Sequence, residues 1–375
     1  MYSAETNRMI LMNDFKAEPA ELRDSMVAAA RRVLESGWYV LGGEVSAFER
    51  QWASACGVAH GVGVGNGMDA IEIALRAMDI GPGDEVITTP MTAFATVLAI
   101  VRAGATPVLA DIEPGTALMS PSSVRRCLSE KTRAVLLVHL YGQVRDMDTW
   151  QQLCAGEGIR LVEDCAQAHL ATWRGVGAGS FGIAGAYSFY PTKNLGAAGD
   201  AGMLVTNDET VAERARHLRN YGQSVRYQHP ELGLNSRLDE IHAAMLAERL
   251  RWLPEFTARR RQIAALYRSG ITNPLVRQPE PPQEASAHVY HLYVIACARR
   301  DRLIAHLAEC GVQSLVHYPI PVHRQEPCLG LRRDPAGLSA SEAHADAVLS
   351  LPCHPQMTDS DVERVMLAVN SFNAA

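Results

Sequence analysis

Lys193 has the type and setting that suggest covalent chemistry. It lies in Tyr187-Ser188-Phe189-Tyr190-Pro191-Thr192-Lys193-Asn194-Leu195-Gly196, where an apolar strand ends in a proline turn and runs into a glycine-rich loop. Water hydrates an ammonium strongly, so removing water lowers its pKa and frees a nucleophilic amine. Schiff-base chemistry needs such an amine. The commoner reading of a lysine after a strand is a solvated loop residue, so its company decides.

That company has several parts. Glu163-Asp164-Cys165-Ala166-Gln167-Ala168-His169 places Asp164 directly after a strand. A carboxylate fixed there can pair with a protonated ring nitrogen, as in pyridoxal phosphate enzymes, where the pairing keeps the ring an electron sink. A capping Asp with surface polar residues is the alternative. Gly65-Asn66-Gly67-Met68-Asp69-Ala70 opens a helix, and free N–H groups at a helix start bind phosphate. The same string fits a loose dinucleotide pattern, with Asp84 and Glu85 roughly the expected ~20 residues on. Gly81-Pro82-Gly83-Asp84 reads better as a turn, which accounts for Asp84.

Ser188 precedes the lysine and carries a hydroxyl that can donate to phosphate. Gly196, Gly199 and Gly202, with Asp200, let the backbone run close beside a cofactor. In Gly233-Leu234-Asn235-Ser236-Arg237-Leu238-Asp239, Asn235 or Ser236 suits a helix N-cap, or Asn235 reaches a neighbouring site. His317-Tyr318-Pro319-Ile320-Pro321-Val322-His323 is a stiff loop presenting His317, Tyr318 and His323, or else a packed irregular one.

The elements that position these residues follow from periodicity. Helical spacing marks 22–34, a segment around Val45, Phe48 and Trp52, and 68–78. Strands and helices then alternate: strand 85–89, helix 96–103, strand 106–110, helix 120–129, strand 134–140, helix 150–158, and strands 160–164, 185–189 and 202–206. Continuous apolar strands between helices imply an α/β fold with a mostly parallel sheet covered on both faces. Ligands in such sheets bind beyond the carboxyl ends of the strands, where Asp111, His139, Asp164 and Lys193 fall. A helix over 238–252, ended by Pro254, closes a large domain of residues 1–254. Residues 255–375 read as a small α+β domain, on which the N-terminal segment packs. It contains helix 257–268, a Pro-rich linker at 278–283, strand 290–297 and helices 302–310 and 360–369.

The chain has 375 residues, 47% hydrophobic and 20% charged, with a formal net charge of -6. Scattered Lys and Arg indicate no nucleic-acid surface. No apolar run is long enough to span a bilayer. Residues 1–16 are polar and mixed in charge, unlike a signal peptide. Eight cysteines without a C-x-x-C pair argue against a metal cluster and suit a reducing cytoplasm.

The order and wording of the segments resemble the DegT/DnrJ/EryC1/StrS family of sugar aminotransferases. The likeness runs from Gly42-Gly43-Glu44-Val45 through Gly67 to Ala70, Gly81 to Val86, Glu163 to Gln167 and the lysine loop. It continues in Arg219-Asn220-Tyr221-Gly222, Asn235-Ser236-Arg237, Tyr290-His291-Leu292-Tyr293 and His317-Tyr318-Pro319. The resemblance implies a fold-type-I pyridoxal phosphate enzyme with a seven-stranded type of sheet. It implies that Lys193 carries the cofactor as a Schiff base, Asp164 holds the pyridine nitrogen, Gln167 lies by the ring hydroxyl, and Gly67, Met68 and Ser188 take the phosphate. Asn235 would reach the phosphate from the other subunit of a homodimer.

Two positions depart from the family pattern. Met68 stands where the family usually has Thr or Ser. Ala93, followed by Phe94, stands where an aromatic stacks on the ring, leaving Phe94 as the candidate. The implied reaction moves an amino group from glutamate, through pyridoxamine phosphate, to a keto group of a nucleotide-linked sugar. Val138 to Gln143 and Asn220 to Gln223 look more like enzymes making 3-amino sugars, so a 3-keto-6-deoxyhexose is expected. A 4-keto sugar or an aminocyclitol is the alternative. Dehydratases of the family replace the lysine with histidine, which Lys193 opposes. A nicotinamide-dependent dehydrogenase would need a strand directly before Gly65, but 59–64 is a poor, Gly-broken strand. A non-catalytic regulatory member that only binds cofactor is the remaining reading.

Overall fold

The computed structural model describes residues 8–373. The reading of residues 1–16 as no leader falls partly on 1–7, outside the described residues.

The strands, in chain order, are β1 (His60–Val64), β2 (Glu85–Thr88), β3 (Thr106–Leu109), β4 (Thr132–Val138) and β5 (Arg160–Asp164). A short hairpin of β6 (Thr172–Trp173) and β7 (Val176–Gly177) precedes β8 (Ala184–Ser188) and β9 (Gly202–Thr206). Later come β10 (Tyr293–Ala296), β11 (Arg332–Arg333) and β12 (Val348–Leu351). Eight of them form one sheet in the order β1-β9-β8-β5-β4-β2-β3-β11. Pairing is parallel from β11 across to β8, and β9 runs antiparallel to both its neighbours. The expected mostly parallel sheet is therefore present, with an eighth strand supplied from far along the chain.

Helices cover both faces. They are α1 (Ala20–Ser36), α2 (Gly43–Cys56), α3 (Gly67–Ala77), α4 (Phe94–Arg102), α5 (Pro121–Cys127), α6 (Met147–Glu157), α7 (Glu209–Leu218) and α8 (Glu240–Leu250). Then follow α9 (Leu253–Gly270), α10 (Arg300–Glu309), α11 (Ser339–Ala347) and α12 (Asp359–Ser371). Strand alternation sorts the core into two layers. Val135, Leu137 and Leu161 pack with Phe48, Trp52 and Trp150 on one face. Ala134, Leu136 and Val162 pack with Ile71, Leu75 and Ile100 on the other. A third cluster joins Ile10 to Ile263, Tyr267, Tyr293, Leu349 and Val365.

Helix α3 sets the geometry of the site. Asn66 caps it, its side chain accepting the Asp69 N–H at 2.8 Å. Ala70, Ile71, Ile73, Ala74 and Leu75 are buried around its circumference, as expected of a helix packed between layers. Its first turn presses on β8 and β9. A Cβ on Gly202 would stand 2.3 Å from the Asn66 carbonyl carbon, and one on Gly67 would stand 2.6 Å from Ser188 Cβ. Glycine at both positions lets the helix start meet the sheet.

The structure corrects four sequence readings. Residues 60–64 do form a strand, β1, despite their glycines; Gly61 and Gly63 fit because a Cβ there would meet the Glu49 carbonyl and Leu238. Pro254 does not end the helix over 238–252. That helix is α8, ending at Leu250, and Pro254 sits in the first turn of α9, where its missing N–H costs nothing. Neither Asn235 nor Ser236 caps α8, because Asp239 holds that position. Strand 290–297 shrinks to β10, since Tyr290 adopts a left-handed φ of 46°.

Overpacking of a tight contact costs about 1–3 kcal/mol. Gly202→Ala is expected to lower the unfolding free energy by that amount, read as a lower urea midpoint at unchanged m-value. Gly43→Ala, whose Cβ would meet nothing within 4 Å, is the control. An unshifted midpoint in Gly202→Ala would contradict the close approach.

Candidate active site

Asp164 ends β5 and is 6% exposed. Thr96, in the first turn of α4, donates its hydroxyl to Asp164 Oδ2 at 2.8 Å, and Thr92 lies 2.7 Å behind Thr96. Because Asp164 only accepts, Thr96 donates to it and Thr92 donates to Thr96. The Ala166 N–H takes Oδ1 at 3.1 Å. The carboxylate is thus held in one orientation with acceptor capacity to spare. Glu163, the preceding residue, points to the other sheet face. There it meets His139 at 2.8 Å and accepts the N–H groups of Gly179, Phe181 and Gly182.

Lys193 follows β8 in a tight turn, its N–H donating to the Tyr190 carbonyl at 2.8 Å. Its side chain is half-buried. Desolvation lowers its pKa from the usual 10.5 to about 8, and the negative charge of Asp164 opposes part of that fall. Lys193 and Asp164 therefore feel each other's charge.

Ser188 and Gly67 are in contact across the junction of β8 and α3, with Met68 next along the helix. The Ser188 hydroxyl accepts the Tyr190 N–H at 3.3 Å and retains its own proton to donate. Asn66 satisfies the Asp69 N–H, and among the described residues the N–H groups of Gly67 and Met68 have no hydrogen-bond partner, as at an open helix start. Ser236 braces this turn: it accepts the Gly65 N–H at 2.9 Å and donates to Asp69 at 2.7 Å. The helix start, its dipole and a serine hydroxyl make a cradle that suits a phosphate.

Gln167 is 7% exposed. Its carbonyl accepts the Tyr141 N–H at 2.6 Å, which turns its amide N–H toward the Tyr318 hydroxyl at 3.1 Å. Burial, together with the charge of Asp164, pushes the Tyr318 hydroxyl up to about 12. Tyr318 thus stands in the field of Asp164. His317 turns its ring to the Ser350 hydroxyl at 2.8 Å, and its carbonyl accepts from the Tyr141 hydroxyl at 2.6 Å. Burial lowers His317 to about 4, and the charge of Lys193 adds to that.

Three sequence candidates make no hydrogen bond to Lys193, Asp164 or Gln167 among the described residues. His323 is 3% exposed and pairs with Glu342 of α11 at 2.8 Å. Phe94 is 39% exposed at the first residue of α4. Asn235 is exposed and pairs through its backbone with Asn220. Of the other strand-end residues, Asp111 anchors α11 through the Ala340 and Ser341 N–H groups rather than facing the lysine. Asp84 is held in its own turn by the Gly81 N–H at 3.0 Å. Strand β1 is an edge strand antiparallel to β9, unlike the parallel first strand of a dinucleotide fold. Thr96, Tyr141 and His291 receive no site role from the sequence, although Tyr141 and His291 lie in motifs of the resemblance. The left-handed φ of 63° at Tyr141 leaves no mark in residue type.

Residues 20–370 match the DegT/DnrJ/EryC1/StrS aminotransferase family. A Streptomyces venezuelae protein named dTDP-3-amino-3,4,6-trideoxy-alpha-D-glucose transaminase is 44% identical over 372 residues, covering 98% of this chain and 97% of its own. An Aneurinibacillus thermoaerophilus protein named dTDP-3-amino-3,6-dideoxy-alpha-D-galactopyranose transaminase is 43% identical over 364 residues, covering 97% of this chain and 99% of its own. The crystal structure of ntda from Bacillus subtilis with bound cofactor pmp superposes with a TM-score of 0.89 at 27% identity, over 97% of this chain and 84% of that one. With the cradle, the carboxylate and the lysine in place, this chain belongs to the DegT/DnrJ/EryC1/StrS aminotransferase family.

Proposed function

We propose that this chain is a pyridoxal phosphate-dependent aminotransferase that moves an amino group from glutamate to the 3-keto group of a nucleotide-linked 6-deoxy sugar. The observation that carries this reading is Lys193 itself, half-buried beside Asp164 with its pKa brought to about 8. The names of the two relatives, both 3-amino sugar transaminases, support carbon 3. The cradle at Gly67, Met68 and Ser188, the oriented carboxylate of Asp164 and the amide of Gln167 fit a ring that carries a phosphate, a cationic nitrogen and a hydroxyl. Bound there, the cofactor supplies an electron sink for charge developing at the carbon beside the amine.

The chain's own residues supply the rest. Asp164 keeps the ring nitrogen protonated, and Thr96 fixes the direction from which it does so. Lys193 moves a proton at Nζ, as base and then as acid. At pH 7 a pKa of about 8 leaves roughly one amine in ten neutral, against fewer than about one in a thousand at the ordinary value. Tyr318 and His317 border the space where the sugar enters.

We also infer that the working unit is a homodimer. Trp38, Tyr39 and Val40 are exposed by 63%, 52% and 40%. Val40 pairs with Asp239, which sets this strip beside the segment containing Asn235. Exposed Tyr221 lies under Arg237 on the same segment. A contiguous apolar patch of this kind is expected to be covered. The family resemblance adds that Asn235 of the partner subunit would reach the phosphate in such a dimer. Among the described residues no helix is long and apolar enough to cross a membrane, and all eight cysteines are free. A cytoplasmic enzyme accords with both.

The deciding experiment offers glutamate with a panel of 3-keto and 4-keto nucleotide sugars and reads amination by mass. Amination of a 3-keto sugar is expected. Turnover of none of them would sink the reading. Borohydride should fix the cofactor on the peptide containing Lys193. In Lys193→Ala, turnover should fall by more than about 100-fold while cofactor still binds without a covalent link; retained turnover would remove Lys193 from the mechanism. Light scattering should give twice the chain mass, and Trp38→Glu should shift that toward the monomer.

A further inference from the structure

The two residues that follow Lys193 are each held by a buried imidazole from a different part of the chain. The Leu195 N–H donates to His169 Nδ1 at 3.0 Å, and His169 Nε2 lies 3.0 Å from the Ser188 carbonyl. An N–H can point only at a lone pair, so Nδ1 is bare and Nε2–H donates to Ser188. On the other side, Asn194 Nδ2 donates to the Val289 carbonyl at 3.2 Å, which turns Asn194 Oδ1 toward His291 Nδ1, also at 3.2 Å. Oδ1 only accepts, so the His291 proton sits on Nδ1 and Nε2 is bare. The network thus assigns two opposite tautomers.

His169 is fully buried and boxed by the rings of Trp52, Tyr187 and Phe189 at 5.5, 5.6 and 5.6 Å. A second proton would have to sit on Nδ1, facing the Leu195 N–H, and would break that bond. Burial brings His169 to about 3 and holds His291 well below the usual range; in both, the charge of Lys193 is the second cause and Arg260 adds to it. The lysine thus faces His169, His291 and His317, all neutral, with Asp164 opposing its loss of charge.

We propose that His169 and His291 are positioning residues for Lys193: as neutral rings they brace Leu195 and Asn194 and so hold the amine away from water. This rests on reading Lys193 as the reactive amine. Without either brace the loop relaxes, the amine regains hydration and its proton is held more tightly.

The test is competitive acylation of the full-length, cofactor-free chain across pH 6 to 11, read by mass on the Lys193 peptide. It needs neither cofactor nor sugar, so its failure is separate from failure of the amination assay. The unaltered chain should be half-labelled near pH 8. His169→Phe keeps a ring but loses both bonds, and should raise the half-point by about one pH unit, a tenfold change in neutral amine. His169→Asn, whose Oδ1 can accept the Leu195 N–H in place of Nδ1, should restore most of the shift. His291→Phe should raise the half-point and His291→Asn should restore it, which keeps the proposal testable if His169→Phe does not fold. Half-points unchanged in the Phe variants, with only the melting temperature lowered, would overturn it.

Discussion

An ammonium taken partly out of water loses hydration that a neighbouring charge must replace. At Lys193 the replacement is one carboxylate, Asp164, and it is incomplete, so the pKa settles near 8. The balance depends on strand geometry. Glu163 is adjacent in sequence, but alternation along β5 sends it to the opposite face of the sheet. There it is saturated by His139 and three backbone N–H groups. A second free carboxylate on the lysine side would raise its pKa and remove the neutral amine. One residue of register in β5 thus separates a partly neutral amine from a salt bridge.

The same economy governs the cradle at the start of α3. A helix start can offer free N–H groups only if its backbone comes within reach of the sheet end. Side chains at Gly67 or Gly202 would push the two apart, since their Cβ atoms would fall inside Ser188 and the Asn66 carbonyl. Ser236 then fixes the turn from a distant segment by bridging Gly65 and Asp69. Close packing positions the donors, and the polar residues around it keep the turn from rotating.

Much of this was legible in the sequence because it is local. The alternation of apolar strands with helices placed β2 to β5 and α3 within a few residues, and the candidate residues Asp164, Gln167, Ser188 and Lys193 lie at or just beyond strand ends. Non-local features were not legible. Strand β1 looked broken because glycine weakens an isolated strand, yet here it lets Glu49 and Leu238 approach. Pro254 reads as a helix stop or as a helix start equally well, and only the chain's path decides. Ser236 was read as a cap for the helix ahead of it, but its partners lie about 170 residues back, with separations of 171 and 167. The roles of Thr96 and His291 also depend on which elements meet in space.

Strand β11 carries a last consequence. It is two residues long, comes after α10, and pairs in parallel with β3, which would otherwise end the sheet. Asp334, just beyond it, is gripped by Arg126 and Ser123 of α5. The final third of the chain is therefore sewn into the first. A fragment truncated before β11 would expose the edge of β3, with its unpaired N–H and C=O groups, as a template for other chains. Splitting the gene between its two halves would yield pieces prone to associate, and circular permutants should be opened elsewhere.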